Sequence, residues 1–236
     1  MPSLEIACFN RESAVRADRA GADRIELCKD HSVGGISPDL SLFTSLSVVI
    51  SIPVNVMIRP HGNGFVASAA DYTQMEADIE AFGNAGAAGF VFGNLTEEGK
   101  LDEARMKELV RKANGRPCTF HRAFDEIRAE DAEEQLERVI ACGFKSLLTS
   151  GGAPDAVQGK ERLKRLVERA NGRIEVIVGG GVRSGNLEVL RETGARWFHS
   201  SSVTDDSEEV DGAPTASREE LQASRAKLDS WDEQLD

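Results

Sequence analysis

One punctuation mark recurs along this chain and restricts the architectures open to it: an amphipathic stretch ends in Gly, and a short apolar run follows almost at once. It occurs at Ala20-Gly21-Ala22 before Arg24 to Cys28, at Ala85-Gly86-Ala87 before Phe90 to Gly93, at Cys142-Gly143-Phe144 before Ser146 to Ser150, and at Thr193-Gly194-Ala195 before Trp197 to Ser200. A helix closed by Gly and followed by a run too short for a second helix reads as helix, then strand. The runs Val54 to Arg59, Cys118 to His121 and Ile174 to Val178 are introduced differently, by Ile52-Pro53, Asn114-Gly115-Arg116-Pro117 and Asn171-Gly172-Arg173, and Leu4 to Cys8 opens the chain. Eight strand and helix units in 236 residues predict a single-domain α/β protein, a (β/α)8 TIM barrel, whose usual size is about 250 residues. The two alternating introductions hint at a (βα)2 repeat. A doubly wound open sheet competes, but it wants a Gly-rich dinucleotide turn after the first strand. Phe9-Asn10-Arg11-Glu12 stands there instead.

Charge separates the body from the end. The net charge is −12, and residues 204–236 hold eleven acidic side chains against Arg218, Arg225 and Lys227. Residues 1–203 are therefore expected to form the barrel domain, and 204–236 an acidic tail. In that tail a solvated, partly mobile linker around Glu208 to Pro214 precedes a helix opened by Ser217-Arg218-Glu219-Glu220. No basic face is offered to nucleic acid. No run approaches the roughly 20 apolar residues of a membrane span, and Met1-Pro2-Ser3-Leu4-Glu5 does not read as a signal peptide. Cys8, Cys28, Cys118 and Cys142 form no C-x-x-C pair, which suits reduced thiols in a cytoplasmic protein.

Strand alternation assigns faces. Side chains two apart share one face, and one face of each barrel strand packs on the helices. The apolar sets Ile25 and Leu27, Val56 and Ile58, Phe120, Val176 and Val178, and Phe198 mark the outward face. Glu5, Glu26, Cys28, Met57, Arg59, His121, Thr149 and His199 then point inward, towards the C-terminal mouth where this fold keeps its sites. Each alone reads equally well as a barrel-closing ion pair or a satisfied core histidine. Five charged or imidazole groups at five strand ends are harder to bury without a ligand. Arg122 follows His121 on the strand-to-helix turn, with the acidic stretch from Asp125 expected to start a helix.

After the seventh strand, Gly179-Gly180-Gly181 brings backbone N–H groups where an anion can approach, aided by the next helix, which Ser184 or Asn186 can cap. Ser200 and its neighbours after the eighth strand supply hydroxyls. A tight turn explains the glycines as well. The charged set supports a small anionic metabolite, phosphorylated or carboxylated, bound by Arg59, Arg122, Thr149, Gly179, Gly180, Gly181 and Ser200. Glu26 and His121 would be the proton-transfer pair, with Glu5 and His199 orienting them, in an isomerase, lyase or hydrolase reaction. No Lys stands at an expected strand end to form a Schiff base.

Several stretches together resemble one family. Glu5 to Cys8, Gly21-Ala22-Asp23-Arg24-Ile25-Glu26-Leu27-Cys28, Met57-Ile58-Arg59-Pro60, Thr119 to Asp125, Leu148-Thr149-Ser150-Gly151, Gly179-Gly180-Gly181 and Phe198-His199 are similar to the CutC family, over roughly residues 4 to 203. The resemblance implies a cytoplasmic TIM-barrel protein, a homo-oligomer (dimer or tetramer), concerned with copper homeostasis and copper binding. Family members often carry Cys where this chain has Ala7. Cu(I) prefers soft donors, and those on the inward face are Cys28 and Met57, with His121 or His199 to complete a site. A copper-binding protein without catalysis is the competing reading, and an interaction surface on the outer helices or the tail is a third.

Overall fold

The computed structural model describes residues 1–232; the tail's last acidic residues, Glu233 and Asp236, lie outside them. Eight strands alternate with eight helices: β1 (Ser3–Cys8), α1 (Arg11–Arg19), β2 (Arg24–Leu27), α2 (Leu40–Leu46), β3 (Val54–Met57), α3 (Ala69–Ala85), β4 (Gly89–Phe92), α4 (Glu103–Lys112), β5 (Cys118–Phe120), α5 (Ala132–Ala141), β6 (Ser146–Thr149), α6 (Lys160–Ala170), β7 (Glu175–Val178), α7 (Leu187–Arg191), β8 (Trp197–Ser200) and α8 (Arg218–Asp232). The strands pair in sequence order, and β8 returns to β1 to close a parallel barrel. This is the TIM barrel that the punctuation predicts.

The outward sets behave as alternation requires. Ile25, Leu27, Val56, Ile58, Phe120, Val176, Val178 and Phe198 belong to one continuous buried cluster with helix residues such as Ala14, Ile79, Leu136 and Leu166. Inside the barrel a second, smaller apolar group contains Ala7, Cys28, Met57 and Val91. Most strands stop a residue or two before the apolar run does. Cys28, Arg59 and His121 therefore stand just beyond the last ladder residue, on the rim of the mouth.

Two expectations give way. The helix expected from Asp125 is a 3₁₀ turn over Arg122–Glu126, and α5 begins only at Ala132. The Asp125 carboxylate, instead of capping a helix, accepts hydrogen bonds from the β6 loop. The linker around Glu208 to Pro214 is a small antiparallel hairpin, β9 (Glu209–Val210) and β10 (Ala213–Pro214). Asn10 at the end of β1 pins it, its Nδ2 donating to Ala213 O at 3.1 Å and Thr215 Oγ1 at 3.1 Å. Beyond it, α8 packs between α7 and α1 and buries Leu221, Leu228 and Trp231 in the main core.

Candidate active site at the barrel mouth

Register alone builds the floor of the site. Glu5 is paired with Arg24 on β2 and with His199 on β8, so three polar side chains stand in one row across adjacent strands. Same-face neighbours in such a row are close enough to bond. Arg24 Nε donates to Glu5 Oε2 at 2.5 Å, and Glu5 Oε1 lies 2.7 Å from His199 Nδ1. Burial of Glu5 is complete and works to raise its pKa. Arg24 and His199 outweigh burial and hold the carboxyl below its ordinary range. Burial works to lower His199, but the Glu5 bond and the Glu26 charge prevail and lift it above the ordinary imidazole value. With Nδ1 committed to Glu5, the His199 edge bearing Nε2 is the one left for a ligand.

Glu26 sits one step higher on β2, opposite Ala7, whose small side chain leaves room over it. Burial raises this carboxyl, and the nearby Glu5 charge adds to the effect. Cys28 Sγ donates to Glu26 Oε1 at 3.2 Å, while Oε2 is buried with no partner among the described residues. Donor atoms of Glu5, Glu26 and His199 lie within 4.8 Å of one another. That oxygen and nitrogen set suits a hard or borderline divalent ion better than Cu(I), although Glu5 is already committed to Arg24 and His199.

On the β3 side, Arg59 is 8% exposed. Nη1 donates to Val33 O and Gly35 O, both at 2.9 Å, and Nη2 to Gly64 O at 3.3 Å; Nε has no partner. Phe65 lies under the guanidinium at 4.6 Å and against His121 at 5.1 Å. His121 is driven down to about 3, first by burial and then by Arg59, so its imidazole is neutral. Its Nδ1 accepts from Ala123 N at 3.3 Å, which assigns the proton to Nε2. In this tautomer His121 presents Nε2–H as a donor, and the two groups of the mouth whose proton affinity is raised are Glu26 and His199.

Opposite, Arg122 pairs with Asp125 at 2.7 Å. Asp125 also accepts from the Thr149 and Ser150 hydroxyls and from the Ser150 and Gly152 N–H groups. Thr149 is fully buried behind this carboxylate and positions it. Gly180 and Gly181 have φ of 98° and 70°, a conformation that favours glycine. The helix expected to assist them, α7, starts only at Leu187, and Asn186 makes no side-chain cap bond to it. Instead its amide closes the turn, accepting from Arg183 N and donating to Gly181 O. Arg183 itself donates to Val182 O, Ser200 Oγ and Val203 O. Among the described residues, neither Arg59 nor Arg183 has a carboxylate within ion-pair distance.

Of the residues read from the sequence, Glu26, Met57, Arg59, His121, Arg122, Gly180, Gly181, His199 and Ser200 line one cavity of about 440 Å³. Glu5, Cys28, Thr149 and Gly179 stand behind its wall. Cys28 and Met57 both lie against Gly35: a Cβ on that glycine would stand 3.3 Å from Cys28 Sγ and 3.6 Å from Met57 Cε. Burial pushes the Cys28 thiol well above its ordinary value, and Glu26 adds to that. Cu(I) would need the thiolate, so the fit of this pair to copper is partial. Arg183, Phe9, His31 and Phe65 also line the cavity and were not read from the sequence. They stand on loops without strand periodicity; the signal for Arg183 was a cation two residues past a Gly turn already singled out.

Residues 3–204 match the model of the CutC family. A human protein named copper homeostasis protein cutC homolog is 42% identical over 200 residues, covering 84% of this chain and 72% of its own length. A CutC protein of Porphyromonas gingivalis strain W83 is 42% identical, covering 84% and 79%. The crystal structure of a CutC protein from Streptococcus agalactiae superposes with a TM-score of 0.81 at 32% identity, covering 85% of this chain and 99% of that one. An aldolase superposes at 0.65 with 17% identity, covering 84% and 89%, which extends the likeness of fold alone.

Proposed function

The chain belongs to the CutC family, and on that premise we propose that it shares the copper-homeostasis role for which its relatives are named, through a mouth that binds a small anion and moves a proton on it. One observation carries the anion reading. Arg59 and Arg183 both line the cavity, and both are held by carbonyl oxygens rather than carboxylates. Guanidinium groups fixed in a partly enclosed pocket without a carboxylate at ion-pair distance favour a carboxylate or phosphate ligand, which they bind in a fork. Glu26 and His199 supply the chemistry. Burial raises the Glu26 carboxyl and the Glu5 bond raises the His199 imidazole, and both stand beside the same cavity, which supports them as the groups that give and take a proton on the ligand. Glu5 orients His199, and the His121 Nε2–H donates to a ligand oxygen.

Copper binding itself is the second reading, favoured by the Cys28 thiol and the Met57 side chain both lying against Gly35. The four cysteines are free, which supports the reducing, cytoplasmic setting this reading assumes. Exposed Leu40 at the start of α2, and Val48 and Val49 just past its end, support the homo-oligomer, which light scattering tests.

One experiment separates the readings. The reduced protein is screened by thermal shift against inorganic phosphate, citrate and a series of carboxylates, and is titrated with Cu(I). Stabilisation by anions that drops at least about tenfold in affinity in Arg183→Gln supports the anion site, whereas stabilisation indifferent to Arg183 sinks it. Tight one-to-one Cu(I) binding abolished by Cys28→Ser supports the copper site. Binding indifferent to all four cysteines removes it.

A further inference from the structure

Two residues that line the cavity each carry a buried polar atom without a partner, and their chemistry is complementary to one kind of molecule. Arg59 is more than nine-tenths buried, and three of its five N–H groups are taken by Val33 O, Gly35 O and Gly64 O. Nε–H and one Nη2–H remain, and Nε is buried without a partner. Glu26 is 3% exposed; its Oε1 receives the Cys28 thiol, and its Oε2 is likewise buried and unpartnered. Both residues line the same cavity. Buried groups left in this way are costly to the fold unless a ligand completes them.

We infer that the mouth is built for a hydroxylated carboxylic acid of sugar size, its acid group held by the uncommitted edge of Arg59 and one of its hydroxyls bonded to Glu26 Oε2. This deepens the anion reading above and rests on it. An acid is required at Arg59 because a guanidinium donor without a counter-ion is met best by a charged acceptor. A hydroxyl is required at Glu26 because it both donates and accepts, and so satisfies Oε2 whether or not that oxygen carries a proton. Glu26 is paired with Asn55, and Arg59 stands four residues further along, beyond the end of β3 at Met57. The cavity of about 440 Å³ that both line is of the size that holds a small metabolite, with room for a chain of about four to six carbons. The aromatic ring of Phe9, also in the lining, gives the carbon chain an apolar surface.

The test uses the full-length protein and named probes: the four- to six-carbon aldonates threonate, arabinonate, xylonate, gluconate and galactonate, with hexanoate as the acid without hydroxyls and sorbitol as the polyol without an acid. Isothermal titration is expected to detect at least one aldonate binding at least about tenfold tighter than hexanoate and sorbitol. Glu26→Leu leaves no hydrogen-bonding atom; it is expected to lose most of the aldonate-over-hexanoate preference while hexanoate affinity changes little. Arg59→Lys is expected to weaken aldonates and hexanoate together. Circular dichroism checks that each variant is folded, and Glu26→Leu carries the test if Arg59→Lys is not. Equal affinity for hexanoate and every aldonate overturns the inference and leaves the anion reading standing. So does a preference that survives Glu26→Leu. No binding of any anion, phosphate and citrate included, overturns both.

Discussion

At the scale of the residue, the mouth is organised by which histidine is allowed to hold a proton. His199 faces Glu5 and Glu26, and His121 faces Arg59 and phenylalanines. The two imidazoles are thereby pushed in opposite directions, although both stand at strand ends. A stability prediction follows from His121. Its folded value of about 3 lies below the unfolded value of about 6.5, so the unfolded chain binds the extra proton. The contribution is fully present above about pH 6.5 and is lost as pH falls towards 3, by on the order of 4 kcal/mol. His121→Asn keeps an acceptor for the Ala123 N–H without a titrating ring. Urea unfolding at pH 7 and pH 4 should show the wild type losing more stability than this variant, by a few kcal/mol; equal losses would remove the depressed His121. Glu5, Glu26, Arg59, His121 and His199 could be found from the sequence because period-two alternation needs only the strand's phase. Which histidine pairs with which carboxylate could not, because that depends on the β8–β1 register, set when the barrel closes.

At the scale of the element, the eighth helix is the instructive case. Composition sets the acidic segment after residue 203 apart from the barrel, and the family match also stops at residue 204. Yet Leu221, Leu228 and Trp231 of α8 are buried in the same core as Leu4 and Phe198. Trp231 packs edge-on to Phe198 at 5.4 Å. Charge dominated the reading because acidic side chains outnumber apolar ones here, but net charge describes the outer face of a helix and says nothing of its inner stripe. The signal was present in the spacing of Leu221, Leu228 and Trp231, seven and three residues apart, which places all three on one side of a helix. The strands were legible because each is short, apolar and fenced by Gly or Pro. The hairpin before α8 was not, since its pairing depends on the Asn10 amide two hundred residues away in sequence. Leu228 is fully buried, and Leu228→Ala should cost about 2 to 5 kcal/mol, read as a lowered urea midpoint in a single transition shared with the barrel. A cost below about 0.5 kcal/mol, or a separate early transition, would mean that α8 is an appendage after all.

At the scale of the whole molecule, the barrel carries groups at its mouth that do not serve its own stability. Glu26 is the clearest, because burial raises its carboxyl above the unfolded range and its Oε2 is unpartnered. For such a group the folded state binds the proton more tightly than the unfolded chain does. Below the unfolded carboxylate value of about 4.3 both states are protonated and nothing is lost; as pH rises through the folded value, the molecule bears the cost of a buried charge. Glu26→Gln removes that cost. The unliganded variant should melt above the wild type at pH 7, by about 2 to 4 °C for each kcal/mol recovered in a chain of this size. The gap should close as the pH is lowered towards 4.3. Calorimetry of both proteins over pH 4 to 8 reads it directly. A carboxyl that costs the empty fold stability and lines the cavity has the pattern of a residue kept for its ligand. A Glu26→Gln protein that melts below the wild type at pH 7 would instead make Glu26 a structural member of the Arg24–Glu5–His199 row, and would return the mouth to a barrel closed by its own charges.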